Sequence, residues 1–397
     1  ACLVGSEMCI RDRYPGAALG RRPLATAAAH QCGTGAGHSG AGGAMLSLEE
    51  VPVHEFRRLR HEWNALLQEY GLDVPFLRHE WLCALAETIP GLGRRPLIVR
   101  LRYKGTYGYA PLMWVRGYPK RWIPLRRLHF LGAQLTEFAD FLMPESPPEL
   151  WRAFFQALGC RGWVEFVGHY LSESSPHLAA YAELVRTWSG ARLEPYEPCW
   201  YIPIAGRSWE EYLREEAGRE FVIRGVRRRE ALYARVDWQV EQYGNLPPAA
   251  LEEIVRLHAL SQHRKGRRSL FAERGPYRAF LERILADSAR LNWLELFVLR
   301  LQSRWVAFIL GFSYGGVFYW WLQGFDPAYE RFAPTKVLLW HVLQSGFRQQ
   351  RWREFNFMGG DTEYKRHWAK RARWFYRLRI PNWRGIARWL NAWRFRG

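Results

Sequence analysis

Apolar positions recur at three- and four-residue intervals through "SLEEVPVHEFRRLRHEWNALLQEYG" and stop at Gly71. That is the period of an amphipathic helix closed by glycine. "HEWLCALAETIPG" reads as a second helix, ending near Pro90. The period then changes to two. "RPLIVRLRY" and "TYGYAPLMWVR" flank the turn "KGT" as paired strands do. Further strands are predicted near 126–131 and at "GWVEFVG", with helices over 148–158 and 177–188.

"EPYEPCWYIPI" reads as a strand that opens the second half. Residues 208–233 read as a highly charged helix, and "RVDWQVEQY" as a strand. "LPPAALEEIVRLHALSQHR" predicts a helix with Pro248 in its first turn and Leu251, Ile254, Leu257 and Leu260 on one face. The strands "WLELFVLRL", "WVAFILGFSY" and "VFYWWLQGF" form a meander, with "GG" as a hairpin turn. A helix over 335–350 then crosses over, so the strand at 353–358 can lie parallel to that at 317–325. Helices flanking mostly antiparallel strands give an α/β or α+β fold. No repeat is visible at the level of sequence.

Composition adds a strong positive charge, +19 over 397 residues, with only six lysines among 57 basic residues. No apolar run is long enough to cross a membrane. Cys2, Cys9, Cys32, Cys83, Cys160 and Cys199 form no CxxC pair, and no His/Cys cluster has metal-ligand spacing. The cysteines read as reduced structural thiols of a cytoplasmic protein, with no metal. Segment 381–397 places Trp383, Ile386, Leu390 and Trp393 on one helical stripe, among Arg384, Arg388 and Arg394. Such a helix either lies on an anionic membrane surface at the inner membrane or docks on its own domain. No nucleic-acid-binding module is recognisable.

The first 44 residues differ in kind. Leu3 through Asp12 resemble a translated sequencing adapter, and 14–44 are Ala/Gly-rich without periodicity. Met45 is therefore the expected start. Setting 1–44 aside removes four arginines and two acids, so the positive charge belongs to residues 45–397.

Three places suggest chemistry. In "RFAPTK" a helix starts near Thr335, where free N–H groups with Arg331 and Lys336 can cradle an anion, or where a proline simply starts a helix. Asp326 either orients or deprotonates an amine or serves as a turn residue before Pro327. In "EFNFMGGDTEYKRHW", Asp361 or Thr362 can cap a helix on which Tyr364 and Trp368 pack and Lys365 is solvated. Alternatively Tyr364 is a proton donor, Asp361 or Glu363 a base, and Lys365 an anion ligand. Arg224 and Arg228, with Arg227 and Arg229, either bind acceptor phosphates or form a solvated face balanced by Glu215, Glu216, Glu220 and Glu230.

Residues 296–369 resemble the core of the GNAT-related acyltransferase domain of CelD-type polysaccharide-biosynthesis proteins, relatives of Fem-type peptidoglycan aminoacyl transferases. Gly324–Asp326, Ala333–Pro334 and Gly360–Trp368 carry the resemblance, and "PFLRHEWL" (75–82) and "EFADFLMP" (137–144) are similar to the family's first half. The resemblance spans about 45–380. It implies tandem GNAT-like halves, 45–193 and 194–380, followed by the tail. It also implies acyl-CoA, acetyl or longer, as co-substrate and an amine or hydroxyl of a sugar or cell-envelope (exopolysaccharide) precursor as acceptor. Tyr364, Asp326 and Asp361 would then be catalytic. Arg331, Ala333, Thr335 and Lys336 would hold coenzyme A, and Lys365, Arg224 and Arg228 the acceptor. Where the family usually has a Ser-Pro-Gly-like turn, this chain has Ala333-Pro334-Thr335. The alternatives are a Fem-type transferase using aminoacyl-tRNA, or a non-catalytic module binding polysaccharide or membrane.

Overall fold

The structure, a computed structural model, describes residues 46–118, 125–133 and 135–394. The adapter-like segment and Met45 lie outside the described residues. The chain runs twice through one course. The first passage is β1 (Ser47–Val51), α1 (Val53–Phe56), α2 (Arg60–Glu69), α3 (His79–Thr88), β2 (Arg95–Tyr103), β3 (Thr106–Tyr118), β4 (Leu125–Phe130), α4 (Pro148–Leu158), β5 (Glu165–Ser172), α5 (Leu178–Thr187) and β6 (Arg192–Pro203). A connection runs through α6 (Trp209–Glu215) and α7 (Gly225–Tyr233). The second passage is β7 (Trp238–Tyr243), α8 (Ala250–Arg264), α9 (Pro276–Arg290), β8 (Leu294–Leu301), β9 (Arg304–Tyr314), β10 (Val317–Phe325), α10 (Pro334–Gln349), β11 (Glu354–Gly359), α11 (Glu363–Trp368) and β12 (Arg371–Pro381). Helix α12 (Trp383–Arg394) ends the described chain.

The twelve strands of the described residues join one sheet, ordered β1-β2-β3-β4-β5-β12-β6-β11-β10-β9-β8-β7. Among the described residues only β4–β5 and β10–β11 pair in parallel. Each half gives its last strand to the other. Strand β6 pairs with β11, β12 pairs with β5, and β6 and β12 pair with each other from Arg371↔Tyr201 to Arg379↔Arg192. A pseudo-twofold axis therefore passes between β6 and β12. The strand that reads in sequence as the opening of the second half is, by order, the last strand of the first.

Three local expectations are corrected. The helix read over residues 47–71 begins instead as edge strand β1, because Pro52 interrupts it and Leu48 pairs with Leu101 on β2. Pro248 lies outside α8, since Ala249 turns left-handed (φ 61°) and the helix starts at Ala250. Residues 208–233 are not one helix. A π-helical turn over Arg219–Arg224 separates α6 from α7. Helix α6 itself opens on a capping box between Ser208 and Glu211.

Helices α2, α3, α8 and α9 share one apolar core across both halves. Trp81 sits at its centre, with ring contacts to Phe280, Phe312 and Trp321 at 5.1, 5.7 and 5.3 Å. On the opposite face, α4 and α5 cover the first half and α10 the second. Gly324 allows the close approach of α8 to β10, because a Cβ there would stand 2.6 Å from the His258 nitrogen. Helix α12 docks where Gly385 meets the Trp163 carbonyl, while Trp383 and Leu390 stay exposed.

A buried histidine ties down the loop after β4. His177 Nδ1 lies 3.1 Å from Asp140 Oδ1, and its Nε2 lies 3.0 Å from the Met143 carbonyl. Burial alone would lower its pKa, but Asp140 and the carbonyls raise it above the ordinary 6.5. A raised histidine stabilises the fold fully below its unfolded value and loses that contribution as pH rises through its folded value. His177→Gln should therefore cost roughly 2–3 kcal/mol near pH 6, from the buried carboxylate it leaves less well paired. Urea unfolding between pH 6.5 and 8.5 should also show a smaller pH-dependent loss in the variant than in the native protein.

Candidate active site

Two strands part in the second half. Strands β10 and β11 pair only from Val317↔Glu354 to Tyr319↔Asn356. Beyond that point β10 bulges between Trp320 and Leu322. Strand β11 slips against β6 between Asn356 and Gly359, and Met358 turns left-handed at φ 61°. When a parallel pair separates it gives up ladder bonds, and the backbone groups so released can serve a guest chain. The result is a fork between the two strands, across which Trp320 and Phe357 stay in ring contact at 5.4 Å.

The first half reaches into this fork. The loop after β4 sets Phe138 edge-on to Tyr319, the last paired residue of β10, at 5.6 Å. Its neighbour Glu137 is 4% exposed and accepts the Gly359 N–H at 2.6 Å. From the second half, Lys365 is 3% exposed and donates to the Met358 and Gly359 carbonyls at 3.0 and 2.5 Å. Both halves thus hold one peptide segment. Gly360 (φ 111°) permits the sharp exit from β11 that returns Lys365 to these carbonyls. Phe138, Tyr170 and Met358 are all left-handed and all lie around this segment. Each such non-glycine residue costs on the order of 1–3 kcal/mol, and such strain concentrates at functional sites.

Burial pushes the Glu137 carboxyl up to about 7, with Lys365 and the Gly359 N–H pulling it down and Glu197 adding to the rise. Burial likewise pushes up Tyr170 and Cys199 beside it. The Cys199 thiol donates to Asn356 Oδ1 at 3.2 Å, and that oxygen also accepts the Met358 N–H at 2.8 Å. A raised thiol of this kind is a poor nucleophile.

The structure places the residues read from the sequence unequally. Tyr364 is buried, with its ring 6.3 Å from Trp320, 6.0 Å from Phe221 and 6.2 Å from Trp368. Tyr364 and Lys365 therefore both stand at the fork. Lys365 is not solvated, and its ammonium donates to two carbonyls. Asp361 does not cap α11: it pairs with the exposed Arg366, and Thr362 makes no side-chain cap bond. Asp326 lies elsewhere. It caps Ala328, pairs with Arg256 at 3.3 Å and lines a separate cavity of about 610 Å³ with Trp305 and Tyr329.

The anion cradle is partly closed. The Lys336 and Val337 amides turn back to the carbonyl of Ala333, itself left-handed at φ 48°. Lys336 Nζ donates to the Phe221 carbonyl at 3.0 Å and sits 3.4 Å from that ring centre. Thr335 is buried, and exposed Arg331 lies over Phe332. Arg224 and Arg228 pair with Glu220 on the surface, as a solvated charge ladder does. Glu137 is not among the residues that sequence reasoning selects, although it stands in the family-like "EFADFLMP". The available signal is two carboxylates, Glu137 and Asp140, set in the otherwise apolar run "LTEFADFLM".

Residues 221–366 match the family described as acetyltransferase (GNAT) domain. Over that span the chain is similar to a GNAT-type acyltransferase domain. No curated protein matches the chain. Among solved structures, FemX superposes with a TM-score of 0.55 at 12% identity, over 84% of this chain and 97% of FemX. A conserved protein of unknown function from Bacteroides thetaiotaomicron gives 0.51 at 10% identity, over 85% of this chain and 100% of its own. The C-terminal domain of a putative lysylphosphatidylglycerol synthetase from Agrobacterium fabrum gives 0.50 at 13%, over 83% and 95%. These likenesses span both halves. The fold is a tandem of GNAT-type halves joined by exchanged strands, and the fork belongs to the second of them. Among the described residues no helix is long and apolar enough to cross a membrane.

Proposed function

We propose that the protein transfers an acyl group from acyl-CoA, acetyl or longer, to an amine or hydroxyl of a sugar or cell-envelope precursor. The parting of β10 and β11 carries this reading. A slot between two strand edges suits an extended donor arm bearing amides, because such an arm can take up the ladder bonds the strands relinquish. Trp320 and Phe357 give the slot an apolar wall. In this reading Arg331 and the Thr335 end of α10 would meet the donor's phosphates. Tyr364 is the proton donor to the departing thiolate.

One observation favours a second reading. Lys336 and two α10 amides are already engaged within the protein, which weakens the cradle that coenzyme A phosphates need. A Fem-type transferase, taking its acyl group from aminoacyl-tRNA, would not rely on that cradle. Titration calorimetry of the full chain separates the two. We expect acetyl-CoA or a longer acyl-CoA to bind with micromolar Kd and desulfo-CoA to compete. Binding of charged tRNA with no response to any acyl-CoA would replace the first reading by the second.

A further inference from the structure

We propose that Glu137, carried by the first half, is the base that takes the proton from the acceptor nucleophile at the second half's slot. The assignment rests on the acyltransferase reading above. It is carried by where the loop after β4 ends up. Phe138 packs on Tyr319, the last residue at which β10 and β11 are joined, and Glu137 contacts Gly359, on the stretch of β11 that β10 has left. The carboxyl is therefore buried against the end of β11 and not on the outer surface of the domain. One oxygen is anchored by the Gly359 N–H, which fixes the orientation of the group. Lys365, Glu197, Tyr170 and Cys199 are the titratable groups that face it, from α11, β6, β5 and β6. With a value of about 7 it is part ionised at neutral pH, where a general base is most effective.

The proton balance closes without a further reactant. The acceptor N–H or O–H gives its proton to the Glu137 carboxylate as its nitrogen or oxygen bonds to the acyl carbon. The carbon–sulfur bond breaks with its electron pair on sulfur, which takes a proton from Tyr364. Glu137 then returns its proton through solvent to the tyrosine oxygen. The net change is one proton moved from acceptor to thiol. Asp361 and Asp326, the carboxylates the sequence offered for this step, lie on an exposed ion pair and in a separate cavity.

The test is Glu137→Gln in the full chain, because an amide oxygen still accepts the Gly359 N–H while losing its basicity. We expect a folded protein with a lowered melting temperature, since Lys365 loses its counter-charge, and unchanged acetyl-CoA affinity. Release of CoA from acetyl-CoA, with glucosamine as nucleophile, should fall about 100-fold at pH 8. The rise of the native rate with pH, centred near 7, should disappear, and Glu137→Asp should restore it in part. A Gln variant with the native rate and pH limb overturns the assignment and leaves the acyltransferase reading intact. A native protein that binds no acyl-CoA overturns both. Difference infrared spectroscopy decides independently of the acceptor. A carboxyl band absent from the Gln variant should titrate near pH 7 and shift when acetyl-CoA binds, and a band indifferent to acetyl-CoA overturns the proposal.

Discussion

Lys365→Met is expected to lower the stability of the whole protein by roughly 3–5 kcal/mol, the usual cost of removing one partner of a buried charged group. The ammonium of Lys365 lies on the carbonyls of Met358 and Gly359 and is the leading charge that holds down the Glu137 pKa. Methionine fills a similar volume but donates nothing. Two carbonyls then lose a charged donor, and the Glu137 carboxylate loses its counter-charge. The strained turn at Met358 and Gly360 loses the tether that folds α11 back onto it.

The effect should not add to that of Glu137→Gln. With both changes the buried pair is neutral, so the double variant should recover on the order of 2 kcal/mol of the Lys365→Met loss, within the range of couplings between contacting residues. Guanidinium unfolding of the four proteins measures this directly. Strict additivity would mean that Lys365 and Glu137 do not interact, and that the two halves are not coupled through Gly359. The pH dependence should move as well. Removing the lysine takes away the largest lowering influence on Glu137, so its pKa should rise above the native value. Any activity that needs the carboxylate should then begin at higher pH in Lys365→Met than in the native protein.

Much of the second half can be read from the residues, and the reason is local. The meander of β8, β9 and β10 alternates cleanly, and the crossover length of α10 forces β11 parallel to β10. The words around Gly360–Trp368 place Tyr364 and Lys365 together, and both lie at the fork. What is not legible depends on distance along the chain. Strand β1 reads as helix because its identity is set by pairing with β2, about fifty residues away. The exchange of β6 and β12 leaves no mark in either strand's own pattern, since each needs only one apolar face whichever half supplies its neighbour. Lys365 can be read as a solvated cation because nothing in "EYKRHW" shows that Gly360 turns it back onto buried carbonyls. Glu137 draws no notice because its partner, Gly359, lies 222 residues away. Asp361 attracts a role through proximity in sequence to Tyr364, yet its cation is Arg366, five residues on. Local pattern identifies elements well, and charged side chains poorly, because the energy of a charge depends on what tertiary structure brings beside it.

Tyr364→Phe is expected to leave the fold and acyl-CoA affinity intact and to reduce turnover by about 100-fold, the scale of losing one proton donor at a reacting group. The ring is fixed by Trp320, Phe221 and Trp368, and phenylalanine keeps all three contacts. Stability should therefore change by less than about 1 kcal/mol, and Kd for acyl-CoA should stay within about twofold. A large fall in kcat without a change in Kd would place the lost interaction in the reaction itself and not in ground-state binding. The pH profile then separates this residue from Glu137. The phenylalanine variant should keep the rise in rate through about 7 with a lower plateau, because the carboxyl that titrates there is untouched. The glutamine variant should lose the rise. Turnover at the native level in Tyr364→Phe would return Tyr364 to an aromatic packing residue beside Trp320. The proton for the thiolate would then have to come from solvent entering the slot.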